Sequence, residues 1–309
     1  MPRRSSLAGK RVEVAVEDRR LSLSNLDKVL YPEVGFTKAD VIDYYTRIAP
    51  VLLSHLRGRP LTLKRYPNGV EGKFFYEKQC PKHAPDWVRR VPVTGHRDGR
   101  VIDYTVVDDL PTLVWAANLA DLELHPSLSL AEEIKRPTTA AFDLDPGEPA
   151  TIVECARVAL ILRDVFAGLS LEAFAKTSGS KGMQVYLPLN EAGATYERTK
   201  GFARALADLL AREHPDLVVA KMAKAQRRGR VFVDWSQNDE HKTTICVYSL
   251  RARPTPTVST PLKWDEVEQI AGGESPERFV FTSADVLARV ERDGDLFAPV
   301  LELQQSLPG

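Results

Sequence analysis

The stretch AAFDLDPGEP, residues 140–149, ends an apolar run with two aspartates one residue apart and then breaks it with Pro146 and Gly147. Side chains on a strand alternate between faces, so Asp143 and Asp145 share one face, and Phe142 and Leu144 the other. Two ionised carboxylates side by side repel. Either one of them titrates upward or a cation settles between them. Hard oxygen ligands of this kind suit Mg²⁺ or Mn²⁺. The Pro-Gly pair stops the ladder, which places the acids at the end of a strand, where sites are commonly built. An isolated D-x-D is more often a solvated strand edge. A third acid shifts that balance. VFVDWSQND (231–239) carries Asp234 at the end of another apolar strand, and three carboxylates from two strand ends can hold two metal ions. Taken alone, Asp234 reads equally as a turn residue.

Outward from these acids the chain alternates strand and helix. TAAFDLD predicts a strand, and TIVECARVALILRDVF (151–166) a helix that opens on an S/T-x-x-E capping box. LEAFAKTSG (171–179), MQVYLPL (183–189), RVFVDW (230–235) and TTICVYSL (243–250) predict further strands. A long amphipathic helix is expected over 195–213, with Phe202, Leu206, Leu209 and Leu210 as its apolar stripe. Upstream, TKAD starts a helix at Thr37, with Val41, Ile42, Tyr45, Ile48 and Leu52 in helical spacing, and Gly58 and Pro60 stop it. LTLKRYP (61–67) alternates like a strand. The pattern predicts a mixed sheet flanked by helices, with an N-terminal α/β module leaning on it. Residues 1–20 are polar and basic, and are expected to be partly flexible at the start.

With 309 residues, 43% of them hydrophobic, the chain can bury a substantial core. Lys+Arg and Asp+Glu both number 42, so global charge argues neither for nor against a polyanionic partner. Cys80, Cys155 and Cys246 are far apart and odd in number, which excludes a disulfide framework and fits a reducing compartment. Cys80 and His83 form a C-x-x-H pair without a convincing second pair, so zinc is not expected. The N-terminus MPRRSSLAGK lacks an apolar signal core and no run approaches a membrane span, so a soluble cytoplasmic protein is expected.

Between the two acid motifs lies TSGSKG (177–182). Its glycines let backbone N–H groups approach phosphate oxygens, and Lys181 adds a positive charge. The spacing is not that of a Walker loop, and a plain hairpin turn accounts for it equally well. Basic residues gather at Lys221, Lys224, Arg227, Arg228 and Arg230, at Arg251 and Arg253, and at Lys64 and Arg65. Phe74, Phe75 and Tyr76 sit between Lys73 and Lys78. Aromatics interleaved with cations suit stacking on bases and pairing with phosphates, although any one such stretch is more often solvated surface and paired phenylalanines are more often core.

LDKVLYPEVGFTKADVIDYY, LKRYPNGV, FFYEKQCPKHAPDW, LELHP, FDLDPG, TSGSKG, VFVDW and YSLRARPTPTVSTPL follow one another in this order. Together they resemble the polymerase domain of bacterial ligase D, of the archaeo-eukaryotic primase superfamily, over about residues 20–290. The resemblance implies an α+β fold: a primase-like catalytic core with an RRM-like mixed sheet and flanking helices, plus the N-terminal α/β module. It implies a single domain over 21–300, with the module at about 21–135 and the core at about 136–300. With no ligase or nuclease segment in the sequence, a standalone primase-polymerase is expected.

By the same resemblance, Asp143, Asp145 and Asp234 are the catalytic, metal-binding acids. Lys64, Phe75, His125, Ser178, Lys181, Gln237 and Arg251 bind the nucleotide. Lys28, Lys38, Phe74 and Arg65 bind DNA, the two lysines at the 5′-phosphate of a downstream strand. His125 reads equally as a hydrogen-bonded structural histidine. Gln184 stands where many relatives carry histidine; a neutral amide can hydrogen-bond a phosphate but offers no positive charge. The segment between His125 and Asp143 is also shorter than is usual in the family.

The implied activity is templated nucleotidyl transfer that fills short gaps or extends ends in DNA repair, such as non-homologous end joining or excision repair. It would use two Mn²⁺ or Mg²⁺ ions and prefer ribonucleotides. Partners would be gapped or end-containing DNA with a 5′-phosphate and NTP or dNTP, with a Ku-like protein and a separate DNA ligase as associates. A monomer, associated with the nucleoid and not with a membrane, is implied. A metal-dependent nuclease or phosphohydrolase, and a non-catalytic DNA-end-binding protein, are the alternatives.

Overall fold

The computed structural model describes residues 11–95, 99–273 and 275–308. Strands β1 (Arg11–Val16) and β2 (Arg19–Ser24) form an antiparallel hairpin. The basic stretch through residue 20 takes part in this hairpin from Arg11 on; its first ten residues lie outside the described ones. The hairpin is held because Leu21 and Leu23 are buried and the Asn118 side chain accepts the Ser24 amide at 3.1 Å. Strands β3 (Val29–Tyr31) and β4 (Phe36–Thr37) lead into helix α1 (Lys38–Leu56). Thr37 caps that helix and Asp40 returns the bond to the Thr37 amide at 2.7 Å, the capping box expected from TKAD. Val41, Tyr45, Ile48 and Leu52 are buried as their spacing predicts, and Ile42 is half-buried.

Strands β5 (Pro60–Arg65), β6 (Phe75–Glu77), β7 (Arg90–Thr94), β8 (Val101–Val106) and β9 (Asp121–Pro126), with helix α2 (Leu110–Asn118) before the last, make an antiparallel sheet. Strand β5 is its hub. It pairs β9 on one side and β6 and β8 on the other, which sets Lys64 opposite Glu123 and Thr62 opposite His125.

The second sheet is built from β10 (Thr139–Pro146), β11 (Phe174–Thr177), β12 (Met183–Pro188), β13 (Val218–Val219), β14 (Val231–Asp234) and β15 (Pro261–Leu262). Their spatial order is β13-β14-β10-β12-β11-β15. Helices α3 (Ile152–Gly168) and α4 (Tyr196–Glu213) cover one face, where Phe142 and Leu144 join their core and the Phe142 and Phe166 rings lie 5.3 Å apart. Asp143 and Asp145 lie on the other face, toward the N-terminal module, as the alternation along β10 requires.

Two expectations are corrected. Leu209 of α4 is 36% exposed; the buried stripe runs through Ala203, Leu206, Ala207 and Leu210, and position 209 falls outside that i, i+4 ladder. Residues 243–250 do not form a strand and make only isolated bridges at Thr243 and Leu250. This apolar run is a buried loop between the two sheets. Its backbone groups are taken by other elements: Tyr44 Oη donates to the Tyr248 carbonyl at 2.8 Å, Lys176 Nζ to the Ile245 carbonyl at 3.1 Å, and the Cys246 amide to the Leu124 carbonyl at 2.9 Å. Helices α5 (Trp264–Ala271), α6 (Ser283–Asp293) and α7 (Pro299–Glu302) follow. Val286, Phe297 and Val300 return to the core under α1. Among the described residues no helix is long and apolar enough to cross a membrane.

Candidate active site

Strand pairing alone assembles the acids. Asp143 of β10 lies directly opposite Asp234 of β14, and Asp145 is two residues further along β10 on the same face. Opposite positions of an antiparallel pair bring Cβ atoms to about 5 Å. Three hard oxygen donors on one sheet face are therefore the donor set that Mg²⁺ or Mn²⁺ selects. Among the described residues no three such groups close into a finished cage; each acid is instead engaged by a protein donor. Asp143 Oδ1 accepts from Gln184 Nε2 at 3.0 Å. Asp234 accepts from the Ser236 amide at 2.9 Å and from Gln237 Nε2 at 3.2 Å. Asp145 lies 3.8 Å from the Arg227 guanidinium. Burial, and then the neighbouring charges of Asp145 and Asp234, push the Asp143 carboxyl well above the usual carboxylate range; Gln184 opposes this. Burial also raises Asp145, against the charge of Arg227. Mutual repulsion of this kind is what a divalent cation relieves.

Asp143 and Asp145 open into a cleft of about 360 Å³ whose lining also includes Tyr76, His125, Ser178, Lys181, Gln184, Gln237 and Arg251; Asp234 lies opposite Asp143 on β14. One wall is the TSGSKG turn. Ser178 Oγ accepts the amides of Ser180 and Gly182, both at 3.2 Å, and so staples the turn. Gly179 has φ +66°, and a Cβ there would meet the Val258 carbonyl carbon at 2.6 Å and Arg251 Cγ at 2.7 Å. Glycine is required on both counts. Arg251 donates to the Ser178 carbonyl at 2.8 Å, tying the turn to the opposite loop. Lys181 is exposed, with Glu148 2.8 Å from its Nζ.

Lys64, His125 and Arg251 converge on one residue that the sequence reading missed. Glu123 is 2% exposed, and its carboxylate lies 2.9 Å from Lys64 Nζ, 3.1 Å from His125 Nε2 and 3.4 Å from Arg251 Nε, and accepts the Ala252 amide at 3.0 Å. Burial alone would raise its pKa; the bond from His125 and the charges of Arg251 and Lys64 hold it well below the carboxylate range. Its signal was present in LELHP, where Glu123 and His125 are i, i+2 neighbours on one strand face. Arg227 was quoted only as part of a basic run; its place beside Asp145 comes from the loop that precedes β14.

The aromatics are not core. Phe74, Phe75 and Tyr76 are 51%, 42% and 58% exposed, the last two on the edge strand β6 and Phe74 just before it. Lys64 Nζ lies 4.8 Å over the Phe74 ring and Arg65 lies 5.1 Å over Phe75. Lys28 and Lys38 form a second centre away from the acids. The Lys38 amide donates to the Lys28 carbonyl at 2.8 Å, and Lys28 Nζ reaches Asn68 Oδ1 at 3.2 Å. Lys38 is 5% exposed, with Nζ 3.4 Å from Ser24 Oγ, and burial followed by the charges of Lys28 and Arg65 lowers it to about 8. Charge of one sign beside Lys38 would favour an anion there, although Arg65 is itself paired with Glu77 at 2.7 Å. Gln184, 3% exposed, has both halves of its amide engaged: its oxygen accepts from Lys176 and its nitrogen donates to Asp143 and Thr244.

Comparison with known proteins agrees with this arrangement. The family of the LigD primase-polymerase domain matches residues 37–297. Similar curated proteins include a multifunctional non-homologous end joining DNA repair protein LigD of Mycobacterium tuberculosis, 42% identical over 290 residues, which cover 91% of this chain and 37% of that protein. A bifunctional non-homologous end joining protein LigD of Bacillus subtilis is 30% identical over 275 residues, covering 89% of this chain and 43% of that protein. The chain thus spans about two fifths of the length of these relatives. The solved polymerase domain from Mycobacterium tuberculosis ligase D in complex with DNA superposes with a TM-score of 0.84 at 40% identity, covering 93% of this chain and all of that one. The chain belongs to the LigD primase-polymerase family, and with it to the nucleotidyltransferases.

Proposed function

We propose that the protein extends a DNA primer by templated nucleotidyl transfer, filling short gaps or extending broken ends, with Asp143, Asp145 and Asp234 holding two divalent cations. The observation that carries this reading is the register that sets Asp234 opposite Asp143, which with Asp145 lines a cleft that also bears Ser178, Lys181 and Arg251. When bound, the ions supply charge for activating an attacking hydroxyl and for stabilising pyrophosphate. The protein's own residues do the rest. Ser178 and Lys181 cradle the triphosphate and Arg251 neutralises charge as it develops, held in place by Glu123. Gln237 orients Asp234, and Phe75 and His125 flank base and sugar. Phe74 and Arg65 pack the template side. Lys28 and Lys38 hold the 5′-phosphate of a downstream strand, fixing register without reading sequence. Ribonucleotides over deoxyribonucleotides, and Mn²⁺ over Mg²⁺, are the preferences the family resemblance supports. Non-homologous end joining is the pathway named for the relatives; a Ku-like protein and a DNA ligase are the partners this reading calls for.

The test is extension of a labelled primer on a gapped duplex, with ribo- or deoxyribonucleotides and with Mn²⁺ or Mg²⁺. Primers should lengthen by templated additions, and Asp145→Ala should abolish this while DNA binding survives. Primers that shorten would identify a nuclease. Binding with no metal-dependent turnover would identify an end-binding protein.

A further inference from the structure

Four residues on four adjacent strands form one polar row across the second sheet. Lys176 on β11 faces Gln184 on β12, Gln184 faces Asp143 on β10, and Asp143 faces Asp234 on β14. Lys176 is 0% exposed. Its ammonium meets three neutral acceptors: Gln184 Oε1 at 2.6 Å, Ser259 Oγ at 2.7 Å and the Ile245 carbonyl at 3.1 Å. The direction of each bond is fixed by chemistry. A carbonyl only accepts. The Ser259 hydroxyl gives its own proton to the Thr177 carbonyl at 2.9 Å, so its oxygen accepts from Lys176. Charged, Lys176 has three donors and no acceptor, so its third proton goes to Gln184.

With Lys176 in its ammonium form, this sets which way the Gln184 amide points. Its oxygen faces Lys176 and its NH₂ faces Asp143 Oδ1 and Thr244 Oγ1, each at 3.0 Å. Burying a lysine without a carboxylate partner is expensive, and here the arrangement commits one oxygen of an acid at the reaction centre. We propose that Lys176 is a positioning residue for the acidic centre: acting through Gln184, it holds Asp143 Oδ1 as an acceptor inside the sheet and leaves the other carboxylate oxygen for the cleft. The inference rests on the reading of the three acids as the ion-binding group. It also gives Gln184 a role that histidine can share. A neutral imidazole can accept from Lys176 on one nitrogen and donate to Asp143 from the other, whereas a residue without both functions breaks the chain.

The experiment measures Mn²⁺ binding to the free protein by electron paramagnetic resonance, alongside thermal unfolding, for wild type, Lys176→Met, Gln184→Met and Gln184→His. Partners that orient metal ligands typically matter by 10–100-fold in affinity. Lys176→Met and Gln184→Met should therefore bind Mn²⁺ about 10-fold more weakly or worse, and Gln184→His should stay close to wild type. In extension assays the weakened variants should need more Mn²⁺, with the nucleotide KM at saturating Mn²⁺ unchanged, a split that a general loss of packing does not produce. A folded Lys176→Met protein with wild-type Mn²⁺ affinity overturns the inference. Should Lys176→Met fail to fold, the glutamine pair decides: equal affinities in Gln184→Met and Gln184→His overturn it. A wild type that does not bind Mn²⁺ overturns the ion-binding reading, and the inference with it.

Discussion

At the scale of single residues, the nucleotide side of the cleft depends on Glu123. Lys64 and Arg251 are cations that a triphosphate would attract, but in the buried wall their charges need a counter-charge, and Glu123 is the carboxylate that supplies it. Removing one partner of a buried ion pair strands the other. Glu123→Gln should therefore lower stability by about 3 kcal/mol or more, read by urea unfolding, and raise the nucleotide KM, because one amide oxygen cannot serve His125, Lys64 and the Ala252 amide together. A Lys64→Met, Glu123→Leu double variant still strands Arg251 and the Ala252 amide, so it should recover only the part of the stability that Lys64 costs, and none of the nucleotide affinity. That divergence separates a functional network from a packing one. Glu123 shows where the sequence stops being legible. Its strand face could be read from LELHP, but the arrival of Arg251, 128 residues later, is a fact of tertiary structure.

At the scale of elements, what could be read was whatever a local rule controls. Period-two alternation placed Asp143 and Asp145 on one face of β10, and capping boxes placed the starts of α1 and α3. What could not be read was long-range pairing. The run at 243–250 has strand composition, yet its ladder partners are already taken and it is buried as a loop instead. The exposure of Phe75 and Tyr76 likewise goes with β6 being an edge strand, which composition does not reveal. The TSGSKG turn gives the sharpest element-scale prediction. Its conformation needs positive φ at Gly179, and its packing leaves no room for a methyl group against Val258 and Arg251. Gly179→Ala should cost about 1–3 kcal/mol through backbone strain alone, with added displacement of Arg251. The expected outcome is a lower unfolding midpoint and a raised nucleotide KM, with DNA binding nearly unchanged in a gel-shift assay.

At the scale of the whole molecule, zero net charge conceals a division of labour. Cations gather at two places: around the nucleotide cleft, and at Lys28, Lys38 and Arg65 beside the start of α1. A gap has a primer end and a downstream 5′-phosphate, and on the proposed reading the two groups of cations would hold one each. Lys28→Ala with Lys38→Ala should erase any preference for phosphorylated gaps and leave extension of a simple primer intact. The pH dependence of that preference is the more searching test. Burial, and then the charges of Lys28 and Arg65, lower Lys38 to about 8. Below that value its ammonium is charged and can pair with phosphate; above it the free protein holds a neutral amine, and binding a phosphate must first supply the proton. Preference for the phosphorylated gap should thus be largest near pH 7 and fall as pH rises through about 8 toward 9, over a range in which the phosphate itself is already fully charged. Lys38→Arg carries a charge that does not titrate there, so its preference should stay flat. The measurement is the ratio of Kd for 5′-phosphorylated and 5′-hydroxyl gaps at each pH. A wild-type ratio that does not change from pH 7 to pH 9 would remove Lys38 from the phosphate site.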